Sequence, residues 1–181
     1  MPEILVAYDS TEGQTATVAA RVAEVARGAG CGTRVVACGA ERGKDALECD
    51  AVIVAAAIHT GKHGAKASAF VARRRELLER VPSAFISVSL SAADAARRGD
   101  AEGYVATFLA QTGWKPAMTA TVAGALNYTR YGFVKRFFMK RIAGAGGMPT
   151  DTSRDHEFTD WTAVERFTRD FLEWLAAAPR A

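Results

Sequence analysis

The sequence predicts an α/β fold in which a five-stranded parallel sheet is covered by helices on both faces. Apolar runs typical of strands buried on both faces alternate along the chain with segments whose apolar residues recur at helical spacing. The length of 181 residues suits a single domain spanning 1–181 with a core of this size. Right-handed crossovers would place the ends of all five strands along one edge of the sheet.

The first half of the chain contains three predicted strands and two helical segments. An apolar run at 3–8 is followed by a helical pattern that begins near Gln14 and stops at Gly28 and Gly30. The second strand is predicted at 33–38, and the charged segment 41–48 as a short or irregular helix. The third strand, 51–57, has the strongest buried pattern in the chain.

The second half continues the alternation. A loop at 58–64 precedes a helix that runs to about Arg80, ended by Pro82, with an inner side formed by Phe70, Val71, Leu77 and Leu78. The remaining predicted elements are a strand at 83–90, a polar loop at 91–99, a helix at 102–112, a strand at 119–126 and a last helix at 160–177. The apolar stripe of that last helix is Phe167, Phe171, Trp174 and Leu175.

The turn after the first strand is predicted to bind an anion. Ser10, Thr11 and Thr15 supply hydroxyl groups, Gly13 permits close approach of the backbone, and the helix that follows leaves main-chain N–H groups unpaired. The turn has no Lys or Arg, and its spacing fits neither G-x-x-x-x-G-K-[ST] nor G-x-G-x-x-G. It resembles the flavodoxin phosphate loop at Ser10, Gly13 and Thr15, whereas Glu12 departs from that loop. A plain Ser/Thr helix cap is the alternative.

Two other loops follow strands that neighbour this turn in the predicted sheet. The loops at 57–64 and 89–99 are longer and richer in polar residues and Gly than simple connectors. In open α/β sheets, ligands bind at the carboxyl ends of the strands where the strand order reverses. The sequence therefore predicts a ligand held between the ends of the first, third and fourth strands.

Composition excludes several classes of protein. The longest apolar run, 51–58, is too short to cross a bilayer, and the first residues show no signal-peptide pattern. Cys31, Cys38 and Cys49 lack metal-ligand spacing, so we expect reduced, partly buried thiols and no metal site. A net charge of +3 with no groove-reading motif argues against a nucleic-acid partner. These features predict a cytoplasmic protein, either free or held on the inner face of a membrane.

An insertion at about 127–158 delays the last helix by more than thirty residues. Its core, 130–142, contains no acidic residue. On a helix, Tyr131, Val134, Phe138 and Ile142 would form a docking face. The opposite face combines aromatic and basic side chains, which suits a membrane surface or an amphiphilic substrate. The alternative is that these side chains simply cover the fifth strand. That face holds Arg130, Phe133, Arg136, Phe137, Lys140 and Arg141.

These motifs together resemble the flavodoxin-type, menaquinone-dependent protoporphyrinogen IX dehydrogenases, nearly from end to end. The most specific features are Gly113-Trp114-Lys115-Pro116, the basic aromatic insertion and Thr159-Asp160-Trp161. The resemblance implies a flavodoxin-like, doubly wound parallel sheet with strand order 2-1-3-4-5 and a helical insertion after the fifth strand. It also implies FMN as cofactor and electron transfer from a porphyrinogen to a membrane quinone at the inner face of the cytoplasmic membrane.

The resemblance also assigns residues to roles. The aromatic and basic surface of the insertion would bind porphyrinogen propionates, quinone or the membrane. His59 and His63 are candidate proton acceptors, with inert loop histidines as the alternative. The cofactor-binding residues would be Ser10, Thr11, Glu12, Gly13, Gln14 and Thr15 at the phosphate, and Ala57, Ile58, His59, Thr60, Gly61, Ser89, Leu90 and Ser91 at the flavin ring.

Other functions stay open at this stage. An electron-transfer flavodoxin would dock onto redox proteins, although the basic insertion argues against such docking. A quinone reductase with a different substrate would use the same cofactor, and a domain that has lost its flavin is hinted at only by Glu12. The sequence also leaves open the quinone preference, the identity of any proton acceptor and whether the chain forms a homo-oligomer.

Overall fold

The structure, a computed structural model, describes residues 1–41, 48–130 and 132–177. Five long parallel strands lie in the order β2-β1-β3-β5-β6, and the short β4 pairs antiparallel with β3. Counted over the long strands alone, this is the order 2-1-3-4-5, so the predicted doubly wound sheet is confirmed. The strands are β1 (Glu3–Asp9), β2 (Gly32–Ala37), β3 (Ala51–His59), β4 (Lys62–His63), β5 (Ser83–Ser89) and β6 (Met118–Ala123).

Helices cover both faces of the sheet. The core on one face packs β1 and β3 against α1 and α6, and the core on the other face packs the same strands against α2, α3 and α4. Two short strands, β7 (Ala125–Leu126) and β8 (His156–Glu157), form a separate antiparallel pair. The helices are α1 (Gln14–Gly28), α2 (Ala65–Arg73), α3 (Arg75–Arg80), α4 (Arg98–Thr112), α5 (Phe133–Ala145) and α6 (Trp161–Ala177).

The central strand β1 shows why apolar runs, and not alternating patterns, mark the strands of this sheet. Ile4 and Val6 face the core with α1 and α6, whereas Leu5 and Ala7 face the core with α2 to α4. Successive side chains of a strand point to opposite faces, so a strand covered on both sides must be apolar at every position. All four side chains are at most 1% exposed.

Several predicted elements differ in detail from the observed ones. The helix predicted up to Arg80 is divided at Arg74 into α2 and α3, although its inner residues are buried as expected. The helix α4 begins at Arg98 and not at 102, after two short 3₁₀ turns. Trp174 was expected in the apolar stripe of α6, but it is 42% exposed and stacks on the buried Phe171. Most of the predicted segment 41–48 lies outside the described residues.

The fifth long strand, β6, ends at Ala123, earlier than the predicted end at 126. A Cβ atom at Gly124 would lie 3.4 Å from Val88 and 3.9 Å from the backbone of Ser89, which is ordinary van der Waals contact, so the chain passes close to β5 here. Beyond Gly124 the chain leaves the sheet and pairs through β7 with β8, and the N–H of Phe158 donates to the carbonyl of Gly124 at 3.1 Å. The insertion therefore returns to the point where it began.

The Gly-Trp-Lys-Pro motif has a structural role in this fold. Gly113 ends α4 with a φ of 65°, a conformation that favours glycine. Trp114 is 3% exposed, and its indole N–H donates to the hydroxyl of Ser83 at 3.1 Å. The motif thus fixes the end of α4 against the start of β5. This contact lies at the end of the sheet opposite the carboxyl ends of the strands.

A carboxylate from β1 caps a neighbouring helix. Asp9 accepts a hydrogen bond from the N–H of Ala67 in the first turn of α2, where a negative charge is favourable. Gly64 stands at the N-cap, and a Cβ atom there would overlap the Asp9 carboxylate. The close approach of the Asp9 carboxylate to α2 therefore favours glycine at this position.

We expect Gly64→Ala to lower the free energy of unfolding by about 1–2 kcal/mol, because the Asp9 carboxylate must move and release its helix N–H group. Urea denaturation followed by circular dichroism measures the change. Gly103→Ala is the matched control: Gly103 lies within α4 with open space around it, so alanine should stabilise the helix by about 0.5–1 kcal/mol. Equal effects of the two substitutions would contradict the assigned overlap.

Candidate cofactor site

The turn between β1 and α1 presents open main-chain donors. Gly13 is the N-cap of α1 with a φ of 96°, and among the described residues no side chain donates or accepts a capping hydrogen bond at this helix start. The hydroxyl of Ser10 accepts from the N–H of Gly13 at 3.0 Å, which leaves the hydroxyl proton free to be donated outward. Thr15, in the first turn, is 1% exposed. A helix start without a side-chain cap is suited to an anion.

The side chain of Gln14 has a different role from the one predicted. Its amide nitrogen donates to Glu157 at 2.6 Å and to Thr159 at 2.8 Å. Both amide protons are thereby used, so the side chain of Gln14 has no N–H group left to donate to a ligand. These bonds join the start of α1 to the end of the insertion.

The predicted loop after β3 is a tight β-hairpin. Ile58 pairs with His63 and His59 with Lys62, which leaves Thr60 and Gly61 as the two turn residues. Their φ angles are 47° and 79°, as a two-residue turn of this kind requires. Thr60 is the one non-glycine residue with positive φ in the described part of the chain, and a β-branched residue in that region is strained. Strain of this type is common at ligand sites.

His63 is not the exposed loop histidine that the sequence suggested. It is 8% exposed, its Nε2 lies 3.0 Å from the hydroxyl of the buried Ser87, and its ring packs against Phe85 and Phe108. Burial lowers its pKa from 6.5 to about 4. His63 is therefore a neutral core residue that anchors the hairpin to β5, and its burial argues against the predicted role as a proton acceptor.

A cleft of about 370 Å³ opens at the ends of β1, β3 and β5. This volume lies within the range of small-molecule sites. Of the residues that the sequence predicted for the cofactor, Thr11 and Gly13 do not line the cleft, and Thr11 is exposed. The predicted residues that do line it are Ser10, Glu12, Gln14, Thr15, Ala57, Ile58, His59, Thr60, Gly61, Ser89, Leu90 and Ser91.

His59 differs from His63 because it lines the cleft. Its Nε2 atom is buried and has no hydrogen-bond partner among the described residues. Buried polar atoms are nearly always hydrogen-bonded, so an orphaned nitrogen beside a cleft marks a place where a ligand belongs.

The sequence did not predict the rest of the lining. Arg97 and Tyr104 come from the segment after β5, and α5 with the loop behind it adds several apolar residues. One signal was present: Met139 and Ala143 are four residues apart and therefore share a helix face. The lining residues that were missed are Val88, Arg97, Tyr104, Gly124, Ala125, Met139, Ala143 and Met148.

The insertion is held against the site by a small core of its own. Leu126, Tyr128 and Ala143 are at most 1% exposed and pack with Met139 and Met148. The hydroxyl of Tyr128 donates to the carbonyl of Pro149 at 3.0 Å. The predicted docking face falls on Tyr131, Val134, Phe138 and Ile142, whose side chains lie outside the described residues. The described contacts place Met139 and Ala143 on the inner side of α5.

Additional hydrogen bonds tie the insertion to the anion-binding turn. Asn127, 8% exposed, donates from its amide to the carbonyl of Glu12 at 3.0 Å. Thr129 donates from its main chain and its hydroxyl to Asp155, which closes the insertion on itself. Movement of the insertion would therefore displace the turn that holds the anion.

The predicted aromatic and basic surface is only partly exposed. Phe133 and Phe137 are 87% and 54% exposed, and the guanidinium of Arg141 lies 6.0 Å from the centre of the Phe137 ring. Arg136, in contrast, is half-buried and donates from its Nε to the carbonyl of Tyr128 at 3.0 Å, so it also stabilises the insertion. Lys140 is exposed, and the side chain of Arg130 lies outside the described residues.

The three cysteines are free thiols, as expected: Cys38 is buried, and Cys31 and Cys49 are half-buried. Burial, reinforced by the nearby Asp9 and Glu41 carboxylates, raises the pKa of Cys38 to about 12. Within the described ranges, no group of three or more His, Cys, Asp and Glu residues could bind a metal ion. No described helix is both long enough and apolar enough to cross a bilayer.

The doubly wound sheet, the uncapped helix start and the cleft at the switch point define a flavodoxin-type α/β protein, built to hold a phosphorylated aromatic cofactor. The chain belongs to the flavodoxin domain family, whose profile matches residues 5–153. FMN fits the residues present: main-chain donors and hydroxyls for a phosphate, and a cleft between two strand ends for a ring. FMN is therefore the cofactor of this site.

Comparison with individual proteins identifies relatives of this chain and solved structures with a similar fold. The chain is 32% identical to a protoporphyrinogen IX dehydrogenase [quinone] of Leishmania major, over 98% of this chain and 78% of that protein. It is 31% identical to the protein of the same name in Escherichia coli K12, over 92% of each chain. Among solved structures, a flavodoxin from the domain Archaea superposes with a TM-score of 0.56 at 16% identity, over 96% of this chain and 99% of that one. This last similarity shows the fold alone.

We expect the buried His63 to make stability depend on pH. The unfolded chain takes up a proton at His63 below about pH 6.5, whereas the folded chain does so only near pH 4, so the folded state loses stability as the pH falls through this window. The contribution is about 1.4 kcal/mol per pH unit between about pH 6 and pH 4.5. Urea denaturation at several pH values should show this slope in the wild type and its loss in His63→Gln. Identical slopes in the two proteins would refute the neutral, buried state.

Proposed function

We propose that this protein oxidises protoporphyrinogen IX to protoporphyrin IX with FMN and passes the electrons to a respiratory quinone. Relatives of that name match most of the chain, and one structural observation carries the proposal. The cleft does not end at the cofactor loops but continues under α5, where Ala125, Met139, Ala143 and Met148 add an apolar wall. A flavodoxin that only exchanges electrons with other proteins needs no such covered apolar space. A protein that binds a macrocyclic substrate does need one.

In this proposal, the residues of the chain bind and orient the cofactor and the substrate. Bound FMN supplies the hydride and electron transfer between substrate and acceptor. The hydroxyls of Ser10 and Thr15 and the first N–H groups of α1 would hold the phosphate, and Thr60 and Gly61 would present their main chain to the ring. The strained turn is suited to this task, because His63 fixes it from beneath through Ser87 on β5.

Protons must also leave the porphyrinogen when it is oxidised. His59 is the candidate acceptor, because it lines the cleft and its Nε2 has no partner among the described residues. Such a side chain could pass protons from the cleft to solvent.

The test is anaerobic turnover of protoporphyrinogen IX, followed by porphyrin fluorescence, with a menaquinone analogue as acceptor. We expect porphyrin formation only when both FMN and quinone are present, because electrons pass through the flavin to the acceptor. Riboflavin is the control for the phosphate site: it lacks the phosphate and should bind more weakly than FMN. A colourless protein that takes up no FMN, or one that reduces only protein partners, would contradict the proposal.

We further propose that the protein works as a peripheral protein on the inner face of the cytoplasmic membrane, with menaquinone as acceptor. Support comes from the exposed side of α5, where Phe133 and Phe137 stand beside Lys140 and Arg141. Aromatic rings can enter the boundary between headgroups and acyl chains while the cations pair with anionic lipids. The same helix covers the cleft with its other side, so a quinone in the membrane would be close to the flavin.

Reversing two of these charges should weaken membrane binding. For Lys140→Glu combined with Arg141→Glu, we expect vesicle partitioning to fall at least about tenfold, since each cation near an anionic surface contributes about 1 kcal/mol. Co-sedimentation with phosphatidylglycerol-containing vesicles at low salt measures it, and the flavin absorbance shows that FMN stays bound.

The matched control makes the same change of charge elsewhere. Arg27→Glu combined with Lys115→Glu alters two exposed cations at the opposite end of the sheet. Arg27 lies in the last turn of α1, and Lys115 follows the end of α4. This control should bind vesicles like the wild type. Equal loss in both double variants would show a nonspecific effect of net charge and would overturn the assignment to α5.

A further inference from the structure

The charges that line the cleft are unevenly distributed. Among the described lining residues, Arg97 is the only permanent cation, and most of the others are apolar or uncharged. Arg97 lies at the end of a 3₁₀ turn (Ala95–Arg97) between β5 and α4. Its neighbour Arg98 carries the same charge in the sequence, but Arg98 is exposed and does not line the cleft.

The backbone at Arg97 is fixed, whereas its side chain is loosely held. The carboxylate of Asp94 accepts from the N–H of Ala96 at 2.9 Å, and the carbonyl of Asp94 accepts from the N–H of Arg97 at 3.0 Å. The guanidinium Nε reaches only the exposed Asp100, at 3.4 Å, which is long for a hydrogen bond between charged groups. No other partner of the guanidinium occurs in the described part of the chain, so the terminal N–H groups of this cleft-lining residue have no protein acceptor there.

Arg97 is far from the place of the cofactor phosphate. The anion-binding turn follows β1, whereas Arg97 follows β5, and β3 lies between these two strands. Neighbouring strands are about 4.8 Å apart, so the two strand ends are separated by about 10 Å. An anion that pairs with Arg97 therefore belongs to a second molecule in the cleft and not to the phosphate of FMN.

A guanidinium presents its N–H groups as a fork that matches the two oxygens of a carboxylate. We propose that Arg97 binds a propionate of the porphyrinogen and so fixes the apolar macrocycle against the wall formed by Met139, Ala143 and Met148. This inference rests on the proposed function and adds the residue that selects a carboxylate-bearing substrate. Asp100 contacts only Nε of the guanidinium, so the terminal nitrogens remain for the propionate.

The experiment compares Arg97→Gln with Arg98→Gln, a neighbouring variant with the same change of charge. Each FMN-loaded protein is titrated with protoporphyrin IX and with its dimethyl ester in the same detergent, and binding is followed by flavin absorbance. The wild type should prefer the diacid over the ester by about tenfold or more, since hydrogen bonds to a charged group are strong. Arg97→Gln should lose this preference by weakening diacid binding alone, and Arg98→Gln should retain it.

Turnover of protoporphyrinogen IX and of its dimethyl ester gives the second measurement. We expect the KM for the diacid to rise about tenfold in Arg97→Gln, while the KM for the ester and the affinity for FMN stay unchanged. Arg97→Lys should recover part of the preference, because it restores the charge without the fork.

The outcomes separate the two proposals. If diacid and ester lose affinity equally in Arg97→Gln, or if FMN affinity falls, Arg97 shapes the cleft or contacts the cofactor and the inference is wrong. If the wild type binds both porphyrins without preference, the inference is wrong as well. If the preference exists and depends on Arg97 but no porphyrinogen is turned over, the proposed function fails while the carboxylate site stands.

Discussion

The uncapped first turn of α1 is the feature on which the cofactor site depends. Gly13 at the N-cap supplies no side-chain acceptor, so the first N–H groups of the helix stay available at the end of the central strand. A phosphate there is neutralised by main-chain dipoles and hydroxyls, because Arg97, the permanent cation among the described lining residues, is two strands away. This arrangement keeps positive charge at the far end of the cleft, where it can act on another molecule.

The insertion covers the cofactor site of this fold. Hydrogen bonds from Gln14 to Glu157 and from Asn127 to Glu12 connect it directly to the phosphate turn. Its own small core then holds α5 over the cleft. Because one side of α5 lines the cleft and the other exposes Phe133, a single helix can both enclose a substrate and face a surface where the quinone is dissolved.

The two histidines of the β3–β4 hairpin show where a sequence alone is insufficient. They are four residues apart in the same polar segment, and nothing in their neighbours distinguishes them. The hairpin alternates its side chains between faces, so His63 enters the core against Phe85 and Phe108 while His59 lines the cleft. A tight hairpin was hidden because Thr60 is an unusual residue for a turn that needs positive φ.

The sequence by itself determined the alternating strands and helices, the strand order through its family resemblance, and the anion-binding turn. These follow from local patterns: apolar runs for strands covered on both faces, and glycine with hydroxyls before a helix. The tertiary structure alone decided which residues of the insertion face the cleft, that the chain leaves the sheet after Ala123, and that Arg97 and not Arg98 lines the site. Such choices depend on contacts between segments far apart in the chain, which no local pattern records.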